Sequence, residues 1–215
     1  MRVIFLDIDG VLNSRQSFRY NMRTYKDEIR WDNLCIYACF NLKTILEIYK
    51  DVSIVVSSTW RIGKSIESLN ELLLYNNALP LRWREVNCVI SKTPYLGSIR
   101  GLEIQKWLKD NSEVEDFVIL DDDGDMGPYR DTDRFIQTSN ATGFDYFAME
   151  KVDKYFGGFN LRFKDLVDGR PYKMYNKDDR TEYFKIDNNL IRFEKDTQER
   201  REVYFYPETS LFAPI

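Results

Sequence analysis

Two aspartates, Asp7 and Asp9, stand where the apolar run Arg2–Leu6 (RVIFL) stops, and Gly10 follows at once. If the chain is still extended there, both carboxylates point to one side, within reach of one cation and one substrate group, and the glycine lets the chain turn sharply. Such an Asp-rich strand end can equally be a turn or a helix cap. A second acidic group, Asp121, Asp122, Asp123 and Asp125, follows the run Phe117–Leu120 (FVIL). Four carboxylates in five residues repel one another unless a cation neutralises them, and a donor set of oxygen alone suits Mg²⁺ over zinc or copper. The plainer alternative is an exposed acidic turn, since Gly124 and Gly127 mark a loop. Ser57 and Ser58 end the run Ser53–Val56 (SIVV) and stand before Arg61, while Arg100 begins a helical stretch and Lys92 lies in the loop before it. Hydroxyls, free backbone N–H groups and guanidinium groups gathered at helix starts favour an anion. Carboxylates for a metal beside hydroxyl and cationic groups for an anion describe a phosphoryl-transfer site.

The chain of 215 residues contains no histidine, which excludes Ser-His-Asp and Cys-His catalysis, His-ligated zinc and His general bases. It has 43% hydrophobic residues, among them 14 Tyr, 14 Phe and 4 Trp, and only 10 Gly and 6 Pro, so it has ample apolar surface for a core. Cys35, Cys39 and Cys88 show no metal-ligand spacing and read as reduced core thiols. No stretch approaches the roughly 20 apolar residues of a membrane span. The opening MRVIFLDIDG meets acidic residues too early for a secretory signal, so a soluble, cytoplasmic protein without a membrane partner is expected.

The elements that must position these residues alternate. Apolar runs at Arg2–Leu6, Ser53–Val56, Val86–Ile90, Phe117–Leu120 and Phe135–Ile136 each end in polar residues, and between them residues 32–50, 65–75 and 101–109 carry helical periodicity. Residues 32–50 carry Leu34, Ile36, Tyr37, Phe40, Ile45 and Ile48 at helical intervals. The order predicts an α/β fold, a parallel sheet with helices on both faces, whose ligands bind beyond the carboxyl ends of the strands. Composition shifts near residue 159. Residues 159–215 read as an aromatic-rich antiparallel β appendage, with strands at Glu182–Ile186, Leu190–Phe193 and Glu202–Tyr206 and a turn at Asp187-Asn188-Asn189.

DIDGV at 7–11, a serine closing the second strand, a basic residue before a later helix and an aspartate pair after a later strand match, in order, the four motifs of the haloacid dehalogenase (HAD) superfamily. More narrowly, FLDIDGVLN, VVSSTWR, RGLEIQKWL and VILDDDGDM resemble the phosphatase-type domain of Swiss-army-knife RNA repair proteins. More distantly they are similar to the 3′-phosphatase half of polynucleotide kinase-phosphatases. The resemblance covers residues 1–158 and implies a Rossmannoid sheet with a minimal cap. It implies Asp7 as nucleophile, forming an aspartyl-phosphate, and Asp9 as the acid that protonates the leaving oxygen and then the base that deprotonates water. As an acid Asp9 needs a proton, for which burial and carboxylate neighbours are the available causes. Mg²⁺ would be held by Asp7, the main-chain carbonyl of Asp9 and Asp121, with Asp122 or Asp125 assisting directly or through water. Ser57 would bind the phosphoryl oxygens, with Ser58, Arg61, Lys92 and Gly10 around them. Arg100 would neutralise developing charge where many members have lysine, with Lys92 as competitor.

About 47 residues separate Asp9 from Ser57, much of them helical, and the Arg61–Val86 interval is shorter, so neither holds a large cap. An open site suits a phosphate on a bulky molecule such as an RNA or DNA end. Arg15, Arg19, Arg23 and Arg30 with Phe18, Tyr20 and Tyr25 could form a basic-aromatic flap, or a solvated loop. Trp60 and Trp83 could stack on bases, whereas Trp107 at helical spacing reads as core. The leading expectation is a Mg²⁺-dependent phosphomonoesterase of nucleic-acid ends. Its rivals are a phosphatase of nucleotides, sugars or proteins, and a binding protein acting through its aromatic tail. The net charge of −4 weighs mildly against tight nonspecific nucleic-acid binding.

Overall fold

The computed structural model describes residues 1–18, 34–80 and 88–157, and beyond them the backbone of five strands between residues 171 and 214. The chain divides into two compact units, Met1–Gly157 and Gly158–Ile215. In the first, strands β1 (Arg2–Leu6), β2 (Val52–Val56), β3 (Val89–Lys92), β4 (Asp116–Asp121) and β5 (Phe135–Gln137) form one parallel sheet in the order β3-β2-β1-β4-β5. Helices α1 (Ile36–Ile48), α2 (Ile66–Tyr75), α3 (Arg100–Asp110) and α4 (Tyr146–Tyr155) complete the α/β unit. β1 lies at the centre, with the chain running outward to β2 and β3 on one side and to β4 and β5 on the other. That reversal opens a crevice at the carboxyl end of β1.

Parallel strands covered on both faces need continuous apolar sequence, and β1 and β2 supply it. On one face Val3, Phe5, Val55 and Ile119 pack with Ile104 and Trp107 of α3 and with Met126. The alternate residues Ile4, Leu6, Ile54, Val118 and Leu120 are equally inaccessible to solvent, so the other face is covered too. Phe5 meets Trp107 and Phe117 edge-on, at centroid distances of 5.4 and 5.6 Å. Trp107 is core as its spacing indicated, and its indole N–H donates to the Ser91 hydroxyl of β3 at 2.8 Å.

Two details differ from the sequence expectation. α1 turns Ala38, Cys39, Leu42, Ile45 and Leu46 inward and leaves Ile36 and Tyr37 exposed. Its sequence, IYACFNLKTILEI, is apolar nearly all round, so periodicity alone could not choose the face. Tertiary bonds choose it: Asn41 donates to the Phe144 carbonyl at 2.9 Å, and the hydroxyl of Tyr49, just past the helix, reaches Asp153 of α4 at 2.7 Å. β3 runs through Ser91 and Lys92, so Lys92 is a strand residue and not part of the loop before α3, while Val86 and Asn87 lie outside the described residues. All three cysteines are free thiols, Cys39 and Cys88 buried.

The second unit holds an antiparallel sheet in the order β10-β6-β7-β8-β9, built from Pro171–Met174 (β6), Thr181–Ile186 (β7), Asn189–Glu194 (β8), Glu199–Val203 (β9) and Phe212–Pro214 (β10). Asn189 pairs with Ile186 and so belongs to β8, not to the turn. Residues 204–206, expected to continue a strand, lie outside the described residues. Among the described residues no helix is long and apolar enough to cross a membrane.

Candidate active site

The register of the central strands builds the site. Phe5 is paired with Val55 on one side and Ile119 on the other, and all three face α3. Two residues on, at the same parity, come Asp7, Ser57 and Asp121. Backbone bonds carry the ladder across this step, from Asp7 N–H to the Leu120 carbonyl and from Ser57 N–H to the Leu6 carbonyl, both 2.9 Å. One row of apolar side chains is thus followed by one row of polar ones, on the face where α3 starts with Arg100.

The guanidinium of Arg100 lies between two of these carboxylates, its Nη2 3.9 Å from Asp7 Oδ1 and its Nε 3.7 Å from Asp121 Oδ2. Asp7, Asp121 and Asp122 each bring a carboxylate oxygen within 4.8 Å of the other two. Asp7 and Asp121 are buried, and removal from water is the main reason both carboxyls titrate high. Asp7 is pushed up to about 6, against the pull of Arg100 and of a Ser58 hydrogen bond. Asp121 is pushed up to about 8, with the nearby Asp7 charge adding to burial. Three carboxylates this close cannot all stay ionised without a positive partner. Ser57 Oγ, Arg100 Nη1 and Asp121 Oδ2 are buried with no hydrogen-bond partner, which native interiors rarely tolerate. An acceptor, a cationic donor and a hydroxyl held ready in one place fit a divalent cation beside an oxyanion. The all-oxygen donor set suits Mg²⁺.

The other expected residues divide. Gly10 adopts φ +75°, and a Cβ there would lie 2.0 Å from Asp122 Cγ, so the chain turns directly beneath that carboxylate. Asp122 is held from the far side by the Asn140 amide at 3.0 Å. Asp9 is exposed, contrary to the burial expected of it. Its carboxylate accepts the indole N–H of Trp60 at 2.7 Å and lies 3.4 Å from the Asn13 amide. Asp125 accepts the Arg100 backbone N–H at 3.0 Å, capping α3, and lies outside the three-carboxylate group.

Arg61 does not reach the carboxylate row. It is 3% exposed, with Nη1 donating to the carbonyls of Ser57 and Ser58 at 2.8 and 2.6 Å, Nε to that of Thr93 at 2.9 Å, and Nη2 to Glu103 at 2.6 Å. Its charge is spent on backbone and on a buried carboxylate. The Lys92 ammonium is likewise turned to the carbonyls of Arg61 and Lys64. Of the proposed flap, Arg15 and Phe18 are described, whereas Arg19, Tyr20, Arg23, Tyr25 and Arg30 lie outside the described residues, as does Trp83.

Sequence reasoning missed Glu103, Asn140, Asn13 and the Trp60–Asp9 bond. Glu103 sits in the first turn of an amphipathic helix, where acidic residues are ordinary, and nothing local marks it as buried. Asn140, in a Ser-Asn-Ala-Thr-Gly stretch, looks like turn chemistry.

A family model described as the HAD domain in Swiss Army Knife RNA repair proteins matches residues 3–146, a span that runs from within β1 through β5. No curated protein and no solved structure matches the chain.

Proposed function

From the premise that the chain belongs to the family of HAD domains in Swiss Army Knife RNA repair proteins, we propose that it is a Mg²⁺-dependent phosphomonoesterase that works through an aspartyl-phosphate on a phosphorylated RNA or DNA end. One observation carries this reading: Asp7, Asp121 and Asp122 share a cation-sized space with the guanidinium of Arg100 and the partnerless hydroxyl of Ser57 at the carboxyl ends of adjacent strands.

Asp7, Asp121 and Asp122 would hold the metal, which supplies positive charge to the phosphoryl oxygens and keeps the acidic cluster ionised. Asp7, ionised, attacks phosphorus in line with the ester oxygen. The P–O ester bond breaks as the Asp7–phosphorus bond forms, and Asp9 gives its proton to the leaving oxygen. Asp9 then takes a proton from water as that water attacks phosphorus, which frees Asp7 and releases inorganic phosphate. Ser57 donates to a phosphoryl oxygen. Arg100, already balanced between Asp7 and Asp121, neutralises charge that develops there, a role for which its position favours it over Lys92. Trp60 anchors Asp9 at the edge of the site.

The test is Mg²⁺-dependent phosphate release from 3′- and 5′-phosphorylated oligonucleotides and from small phosphate esters. Asp7→Asn is expected to abolish turnover, and Asp9→Asn to lower kcat by about 10²–10⁴-fold. Wild-type turnover in Asp7→Asn would remove the nucleophile assignment. Hydrolysis of small esters with no activity on any oligonucleotide would remove the substrate half.

A further inference from the structure

Beside Asp9 and Gly10 lies a cleft of about 480 Å³, lined in addition by Asn13, Ser14, Arg15, Phe18 and Asn140. Its volume falls within the range of roughly 300–1,000 Å³ common to ligand sites. The cleft is prebuilt by backbone. The N–H groups of Arg15 and Gln16 donate to the carbonyls of Asn140 and Ala141 at 2.9 and 3.2 Å, and Ser14 and Ser17 close the start of the helical turn through their hydroxyls at 3.2 Å. Its wall is joined to the chemistry through two amides, since Asn13 approaches Asp9 and Asn140 donates to Asp122. Phe18 is 60% exposed, so its ring face is open to the cleft it lines. Arg15, also exposed, forms no ion pair among the described residues.

An exposed aromatic face, a guanidinium without an anionic partner among the described residues and two amides that offer both donors and acceptors match the parts of a nucleotide: a base to stack, a phosphodiester to neutralise and polar base edges to bond. A sugar monophosphate has no second anion for Arg15, and no sugar phosphate has a flat ring for Phe18. A cleft that opens directly at Asp9 also places its occupant on the leaving-group side of the phosphoester, because Asp9 is the residue that protonates the leaving oxygen.

We propose that this cleft seats the terminal nucleoside of the substrate, with its base against Phe18 and the next phosphodiester at Arg15, so that the leaving group is recognised as part of a polynucleotide chain. The proposal rests on the phosphatase reading above and deepens it. It makes the enzyme prefer a phosphorylated oligonucleotide over both a mononucleotide and a simple aryl phosphate.

The experiment compares kcat/KM for a 3′- or 5′-phosphorylated oligonucleotide, the corresponding mononucleotide and p-nitrophenyl phosphate in the wild type, Phe18→Ala and Arg15→Gln. Thermal melts check that these exposed substitutions leave the fold intact. Phe18→Ala is expected to lower the oligonucleotide-to-aryl-phosphate ratio by roughly 5- to 100-fold. Arg15→Gln is expected to flatten the dependence of log(kcat/KM) on log[salt] by about 0.7, the loss of one phosphate contact on a single strand. An unphosphorylated oligonucleotide should compete with substrate in the wild type and lose that competition in Phe18→Ala. Turnover of oligonucleotides with an unchanged ratio and salt slope in both variants overturns the subsite and leaves the phosphatase standing. Phosphate release from aryl phosphate but from no oligonucleotide overturns the substrate reading, and the subsite with it.

Discussion

Gly10 is confined to glycine by two separate constraints, a backbone angle of φ +75° and the Asp122 carboxyl carbon 2.0 Å from where a Cβ would stand. Gly10→Ala must therefore strain the turn and push Asp122 away from Asp7 and Asp121. We expect it to lose the stabilisation that Mg²⁺ gives the wild type, which at a hundred times the Kd is about 2.7 kcal/mol and is readable as a rise in Tm. The same carboxylates set a pH dependence. Burial raises Asp7 and Asp121 in the folded chain above their unfolded value of 3.8, so the fold favours their protonated forms. The stability this contributes is complete below about pH 4 and is lost as pH rises through about 6 and then about 8. Metal-free protein is expected to melt at progressively lower temperature across that window, and added Mg²⁺ to reverse the trend at its alkaline end. A Tm that does not change between pH 5 and 8 without metal would contradict it. At this scale the sequence placed Asp7 and Asp121 at strand ends, but it left Asp122 and Asp125 as alternatives that only the geometry separates. It was uninformative about the setting of Asp9, whose partner Trp60 stands 51 positions away.

Arg61 ties three elements together: the end of β2 through the carbonyls of Ser57 and Ser58, the segment after β3 through those of Thr93 and Pro94, and α3 through Glu103. Glu103 in turn accepts the backbone N–H of Leu96 at 2.9 Å. Burial and the nearby Arg100 charge work against the Arg61 charge, and Glu103 offsets them. With exposures of 3% and 4% the pair is fully interior, so removing one partner strands the other. Arg61→Ala is expected to cost about 3–5 kcal/mol in a urea titration, whereas replacing both residues with apolar ones of similar size should restore much of that loss. A cost below about 1 kcal/mol for Arg61→Ala would show the pair to be peripheral. The alternation of strands with helices was legible because short, largely apolar runs that end in polar residues alternate with longer stretches of helical period. The Arg61–Glu103 pair was not, since a charged residue beside a strand tip reads locally as an anion binder, and the carboxylate that claims it stands 42 positions later on a helix. The inward face of α1 was equally hidden, because its neighbours decide which of several apolar stripes is buried.

The division at Gly157 separates a parallel-sheet unit that contains every proposed catalytic and metal-holding residue from an antiparallel sheet that contains none of them. A chain ending at Gly157 is expected to unfold cooperatively and to keep its Mg²⁺-dependent rise in Tm. Loss of that rise on truncation would mean that the second unit takes part in holding the metal. Within the first unit, the strand order has a consequence for the time course of synthesis. β1 is made first and occupies the centre of the sheet, but its neighbour β4 closes with residue 121. Asp7 therefore waits for more than half of the chain before Asp121 and Asp122 arrive beside it. Joining such distant segments is the slow, entropy-opposed part of folding. If Asp7, Asp121 and Asp122 hold the metal as proposed, a nascent chain would complete that site only once β4 has docked. On the proposed reading, capture of Mg²⁺ would mark the moment when the central strand acquires its second partner.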